Sequence, residues 1–146
     1  MIELAFVLIL LVMLLVGTVT AAMAFARSNS IQNAAREASR YAATRDEIAS
    51  NLSEVIQVAK AASSGDLDPS APGYYVCAAY VNGAANTRVT EGSPPSLPAD
   101  NTCYADGRPA DEVRVQVVAG RDLTINAILF STDVTLGAQA AARYER

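Results

Sequence analysis

The chain has 146 residues, a length that allows one modest domain. About half of the residues (51%) are apolar, and the net charge is −4. An acidic chain without a clustered basic face is not expected to bind nucleic acid. The apolar residues are concentrated at the beginning, where Glu3 is the only charged residue before Arg27. This uneven distribution argues against a wholly soluble globule and against a protein with many membrane spans.

The composition also offers little for catalysis. The chain has no His, which is the usual general base and the commonest metal ligand. Its two cysteines are too few for a structural zinc site of the common Cys/His type. We therefore expect no enzymatic activity, no cofactor and no metal site.

Residues 4–26 form an uncharged, mostly apolar run of 23 residues. As a helix this run is about 35 Å long, enough to cross a bilayer. A secretory signal peptide would show a basic start and a shorter apolar stretch, and nothing basic precedes this run. We predict a retained membrane-spanning helix.

Glu3, just before this segment, and two residues within it have more than one interpretation. Glu3 either lies in the first helical turn at the membrane surface, where it suits the helix dipole, or serves in subunit docking. The docking role is considered because a carboxylate in apolar surroundings is costly unless a cation pairs with it. The amino terminus of a neighbouring subunit could provide that cation. Gly17 and Thr18 either allow close contact between helices or mark a point where the helix unwinds during assembly.

The helical pattern continues beyond Arg27, with apolar residues at steps of three and four as far as Ala59. Thr44 and Glu47 fit a capping box, which favours a break and a new helix. The phase of the apolar stripe is nearly preserved across them, so a continuous helix over residues 3–62, about 90 Å long, also fits. We predict an N-terminal helical part over residues 1–62, divided into a membrane or filament-core part (1–26) and an amphipathic part (27–62).

Small and apolar side chains on this helix are predicted to pack against copies of the same helix. The residues in this predicted contact are Leu4, Phe6, Leu8, Leu11, Leu15, Ala34, Ala35, Ala38 and Ala42. For the alanine-rich part, the alternative is a stalk that lies on its own head domain.

Residues 63–146 are predicted to form a small head of antiparallel strands. Three segments have the composition of strands: residues 74–81, 113–117 and 133–144. Residues 84–110, rich in Pro, Gly, Asn and Asp, predict an irregular loop, and residues 123–130 fit either a strand or a helix. Packed on the helix, these strands give an α+β fold: a long, hydrophobic-to-amphipathic N-terminal helix followed by a small antiparallel sheet.

Cys77 lies in the first predicted strand and Cys103 in the long loop. Two cysteines in a segment outside the membrane predict one disulfide, and therefore an oxidising compartment. The alternative is a pair of buried free thiols.

The residues at both ends of the chain resemble a known family. Residues 3–8 (ELAFVL), 33–43 (NAAREASRYAA) and 140–145 (AAARYE) are similar to TadE-like pilins, which are part of the wider type IV pilin superfamily. The resemblance implies a prepilin whose short basic leader is removed by a prepilin peptidase at the cytoplasmic face. It also implies that Glu3 corresponds to the family's near-terminal docking glutamate, although that residue is usually fifth in the mature chain and here is third.

These observations lead to two hypotheses. In the first, the chain is a structural subunit of a Tad-type extracellular filament (a fimbrium) that supports adhesion or surface attachment. Its partners are then copies of itself, the cytoplasmic membrane before assembly, and the pilus assembly machinery. In the second, it is a membrane-anchored extracytoplasmic binding module that does not polymerise, and residues 84–110 carry recognition.

Overall fold

In the part of the chain that the structure describes, two helices are followed by four strands. The structure, a computed structural model, describes residues 2–45, 47–83, 85–109, 111–126 and 131–144. The elements are α1 (Ile2–Ala43), α2 (Leu52–Ala62), β1 (Tyr75–Val81), β2 (Thr87–Gly92), β3 (Arg114–Asn126) and β4 (Ser131–Arg143). The predicted α+β fold, with a long apolar helix before a small antiparallel sheet, is confirmed.

The helical part is interrupted between α1 and α2. The Thr44 hydroxyl donates to the carbonyl of Tyr41, and Glu47 has a positive φ of 60°, so the chain turns there. The continuous helix over residues 3–62 is therefore wrong, and the predicted break is correct. The capping-box explanation is not the observed one, because α2 begins only after Asn51.

The second helix runs back along the first. The Tyr41 hydroxyl donates to a carboxylate oxygen of Glu54 near the turn, and Ser30 Oγ donates to the Ser63 carbonyl (2.8 Å) at the far end of α2. Both helices therefore present their apolar stripes to one core. The buried residues of α2 are Leu52, Val55, Ile56 and Ala59.

The four strands form one antiparallel sheet in the order β2-β1-β3-β4. One face packs on α1 and α2 through small and β-branched side chains: Val76, Ala78, Val115, Val117 and Ala119. The strands predicted at residues 74–81, 113–117 and 133–144 are all present. For residues 123–130, the structure shows strand up to Asn126, and residues 127–130 lie outside the described part.

The sequence prediction missed β2, which lies within the segment interpreted as an irregular loop. Its residues are mostly polar and exposed, and its backbone hydrogen bonds are supplied by β1. Lys60 Nζ of α2 also lies 2.8 Å from Glu91 Oε1 and holds this edge strand from the helical side. Strand formation at a polar edge depends on the neighbouring strand, so local composition does not reveal it.

A tyrosine covers two glycines on the opposite face of the sheet. Tyr75 pairs with Gly120 across β1 and β3, and Gly120 pairs with Gly137 across β3 and β4. A Cβ atom at Gly120 would lie 2.5 Å from the Tyr75 ring. Glycine at this position therefore leaves room for the ring to lie flat on the sheet.

The β3–β4 hairpin extends beyond the rest of the sheet. The pairing of β1 with β3 begins at Tyr75 and Gly120, so residues 121–126 and 131–136 form a two-stranded extension, here named the distal ribbon. Besides the backbone pairing, two side-chain hydrogen bonds join its strands: Thr124 Oγ1 donates to Asp133 (2.6 Å), and Thr135 Oγ1 donates to Asp122 (2.7 Å).

Candidate functional site: the apolar stem and the disulfide-bound head

The first half of α1, residues 4–25, is here named the stem, and it makes few contacts with the rest of the chain. An 18-residue window within α1 has a mean hydropathy of 2.7, and none of it is buried. The stem is therefore long and apolar enough to cross a membrane. Its predicted contact residues have exposed side chains: Leu4 (71%), Phe6 (71%), Leu8 (56%), Leu11 (59%) and Leu15 (56%).

The alanine-rich part of α1 is in a different environment. Ala34, Ala35, Ala38 and Ala42 are all 0% exposed, because the sheet and α2 cover them. Their predicted packing against copies of the helix is therefore wrong, and the alternative, a stalk lying on its own head, is the arrangement observed. Their small side chains bring α1 close to the sheet.

The residues considered for unwinding are helical in this structure. Thr18 Oγ1 donates to the carbonyl of Leu15 (2.9 Å), so its hydroxyl is satisfied within the helix. α1 continues without a break through Gly17. Unwinding during assembly stays a prediction. Glu3 lies within the backbone of α1, but its side chain is outside the described part, so its docking role also stays a prediction.

The two cysteines form the predicted disulfide. Cys77 and Cys103 are bonded, with their Cα atoms 5.9 Å apart, and both are buried. The alternative of two free thiols is wrong. The bridge ties the segment between β2 and β3 to the face of the sheet that the helices leave free.

A buried polar network that the sequence pattern did not reveal holds the same segment. Gln116, which is fully buried, accepts a hydrogen bond from the Cys103 amide (3.0 Å) and donates one to Asp106 (2.9 Å). Arg114 binds Asp106 through two nitrogens, at 2.8 and 2.9 Å. The only signal in the sequence was polar residues alternating with valines, a pattern typical of a strand with one solvated face.

The charge of Asp106 is stabilised within this network. Burial by itself opposes ionisation, but hydrogen bonds from Gln116 and Arg114 outweigh it and hold the pKa of Asp106 below its usual value. The Arg114 side chain is only 4% exposed, and that of Asp106 only 10%. A bidentate pair of this kind fixes the orientation of both groups.

A groove of about 250 Å³ lies on the same face of the head. Mostly apolar and aromatic side chains line it, among them Tyr75, Leu97, Tyr104 and Val118. Across the described parts of the chain, no group of three His, Cys, Asp or Glu side chains is placed to hold a metal ion. The groove therefore offers a mainly apolar contact surface.

Comparison with known proteins gives one family. The family model described as "TadE-like protein" matches residues 1–40. No curated protein and no solved structure gives a significant match. The resemblance inferred from the residues is confirmed over this segment, which contains the whole stem and the first buried turns of α1.

Proposed function

We propose that this chain, TadE-like over its first 40 residues, is a structural subunit of a Tad-type extracellular filament. The observation that carries the proposal is the exposed stem joined to a head that has its own complete core. The family match supports an association with the Tad pilus. Adhesion or surface attachment would then be a property of the assembled fibre, and the role of the chain would be structural rather than enzymatic.

The stem needs an apolar environment. Covering a helix of this size removes on the order of 1,500 Å² of apolar surface from water, which stabilises by tens of kcal/mol at about 25 cal/mol per Å². Two surroundings provide such cover: lipid, and the stems of neighbouring subunits. We propose that the subunit uses both in turn, first in the cytoplasmic membrane and then in the core of the filament.

The head would move with the stem as one body. Ile31 and the four buried alanines fix the second half of α1 to the sheet, so an extracted stem carries the head with it. Bundled stems would then place the heads on the outside of the fibre. In this proposal a prepilin peptidase processes the chain, and the pilus assembly machinery extracts it from the membrane.

Electron microscopy of sheared surface fibres tests the proposal. We expect fibres that contain this polypeptide, their loss when the gene is deleted, and their return when the full chain is supplied. Fibres that lack the polypeptide, or that persist after its deletion, would overturn the filament role.

A stem replacement separates the filament from the alternative of a membrane-anchored binding module. That alternative is favoured by one observation, the apolar groove on the head. In the variant, residues 4–25 are replaced by a Leu-Ala helix of equal length, which still spans the bilayer but has different side-chain shapes. A filament subunit should insert normally and yield no fibres, whereas a tethered binding module should keep its attachment function.

A further inference from the structure

The distal ribbon lies against the last turns of the stem. Three of its residues, Leu123, Thr124 and Ile125, line a groove of about 180 Å³ together with α1. The α1 residues that line this groove are Thr20, Met23, Ala24 and Arg27. The ribbon therefore runs beside the apolar stem for about two helical turns before Arg27.

A two-stranded ribbon of this composition cannot lie in the hydrocarbon layer of a membrane. Beyond Gly120, β3 no longer pairs with β1, and open sheet edges do not occur in contact with lipid chains. Asp122 and Asp133 accept hydrogen bonds from threonine hydroxyls, which do not neutralise a carboxylate. A charge at that depth carries a large free-energy penalty.

We infer that the distal ribbon rests on the membrane surface and that the edge of the hydrocarbon layer crosses α1 near Thr20. This inference rests on the membrane-inserted stage of the proposed function. The uncharged run alone would place the edge at Arg27, seven residues farther along α1. The two positions differ by about 10 Å along the helix axis.

The composition of the stem changes at the same level. Residues 4–16 contain only Leu, Val, Ile, Met, Phe and Ala, whereas residues 17–26 contain one glycine, two threonines and four alanines. The second segment is therefore less apolar per residue. Phe25 is 69% exposed at the level of the ribbon, so no part of the head covers it there.

The inferred boundary also fixes where the other end of the span lies. A hydrocarbon layer of about 30 Å corresponds to about 20 helical residues, and Glu3 lies 17 residues, about 26 Å, before Thr20, so it is within about one helical turn of the opposite edge. The opposite interface then lies close to the backbone of Glu3. With a boundary at Arg27 the span would begin near Val7 instead.

Depth-dependent fluorescence quenching of the full chain tests the inferred boundary near Thr20 and the position of the distal ribbon. Because both native cysteines are bonded to each other, single cysteines can be introduced and labelled with bimane, with one label per chain verified. The chain is reconstituted into phosphatidylethanolamine/phosphatidylglycerol vesicles carrying nitroxide on the headgroup or in the middle of the acyl chain. One pair of labels is on the stem, M13C and F25C, and a matched pair is on exposed threonines of the head, T132C and T87C.

We expect M13C to be quenched several-fold more by acyl-chain nitroxide than by headgroup nitroxide, and F25C to show the reverse and to be accessible to iodide. T132C, on the ribbon, should be quenched by headgroup nitroxide. T87C should not be quenched by headgroup nitroxide, because Thr87 lies far from the ribbon along the sheet. Thr87 pairs with Tyr80, and Tyr80 pairs with Val115 of β3. Thr132 pairs with Ile125, ten residues farther along β3.

Three results would overturn the inference in distinguishable ways. If F25C is quenched more by acyl-chain nitroxide than by headgroup nitroxide and is shielded from iodide, the boundary lies at Arg27, while membrane insertion still holds. If T132C resembles T87C, the ribbon does not touch the membrane. If M13C is not quenched from the acyl chain at all, the stem is not inserted, and the membrane stage of the proposed function fails as well.

Discussion

At the scale of single residues, Asp106 is a charged group in a largely buried position of the head. It accepts hydrogen bonds from both Arg114 and Gln116 in a largely buried position. A buried ion pair adds little net stability compared with apolar residues, but removing one partner leaves the other charge without compensation. The network therefore acts chiefly to hold the segment after β2 in one arrangement on the sheet.

Asp106→Asn should lower the free energy of unfolding by about 3 kcal/mol, because Arg114 then remains buried without a counter-charge. Urea unfolding of the full chain in detergent, with the disulfide intact, measures the change. Glu112→Gln is the matched control, since its pair with Arg108 is longer (3.5 Å) and more exposed, and it should change stability by about 0.5 kcal/mol or less. Equal effects of the two substitutions would contradict the assigned role of Asp106.

The same carboxylate predicts a pH dependence of stability. The pKa of Asp106 is lower in the folded protein than the value of about 3.9 expected when unfolded, so the unfolded state takes up the proton first. The stabilisation is complete well above pH 4 and is lost as the pH falls toward the pKa of the folded state. Urea unfolding between pH 3 and pH 7 should show a shallower decline for Asp106→Asn than for the wild type.

Part of the decline should remain in that variant. The pKa values of Glu91, Asp68 and Asp100 are also lowered, mainly by hydrogen bonds from Lys60, Ser70 and Thr102 respectively. An identical slope in wild type and Asp106→Asn would mean that the pKa of Asp106 is not lowered on folding.

At the scale of elements, the segment between β2 and β3 depends on its attachments to the sheet. It contains few regular backbone pairs, and the disulfide and the Gln116 network hold it over β1 and β3. The helices cover the other face, so this segment supplies the second layer of the head. A small core of this kind gains much from a covalent constraint.

Replacing both cysteines by serine should lower the free energy of unfolding by about 3–4 kcal/mol, because the bridge spans a sequence separation of 26 residues and restricts the unfolded chain. Thermal unfolding followed by circular dichroism measures it. The reduced wild type provides the control and should unfold at nearly the same temperature as the double variant. If the double variant had the same melting temperature as the oxidised wild type, that result would contradict a structural role for the bridge.

At the scale of the whole molecule, α1 serves two purposes along its length. Its first half has side chains free to contact lipid or other stems, and its second half is the central helix of the head core. One continuous helix therefore transmits any movement of the stem directly to the head. This arrangement suits a subunit that is drawn from a membrane into a fibre.

Glu3→Gln should reduce the mass of sheared fibres at least about tenfold while membrane insertion stays unchanged, since losing a contact of only 1.4 kcal/mol at each docking step gives that factor. Immunoblots of sheared and membrane fractions measure the two quantities. Glu37→Gln is the matched control, because this side chain is exposed on the head half of the same helix. Wild-type fibre yield from Glu3→Gln would remove the docking role and leave Glu3 as a residue of the membrane interface.

The sequence by itself determined the features that depend on local composition and period. An uncharged, mostly apolar run of 23 residues requires either a membrane or a bundle of like helices around it. The reason is that exposing so much apolar surface to water is unfavourable. Alternating valines predicted β3, and two cysteines in a segment outside the predicted membrane span predicted their bond. These signals are local, so one sequence is enough to read them.

Only the tertiary structure decided which surfaces meet. The alanine stripe of α1 required a close partner, and the partner is the sheet of the same chain rather than a second copy. Arg114 and Gln116 had the pattern of a solvated face, yet the segment held by the disulfide covers them. The edge strand β2 and the position of the distal ribbon beside Thr20 depend on residues far apart in the sequence. Such contacts reflect the packing of whole elements, and no local window of the sequence contains them.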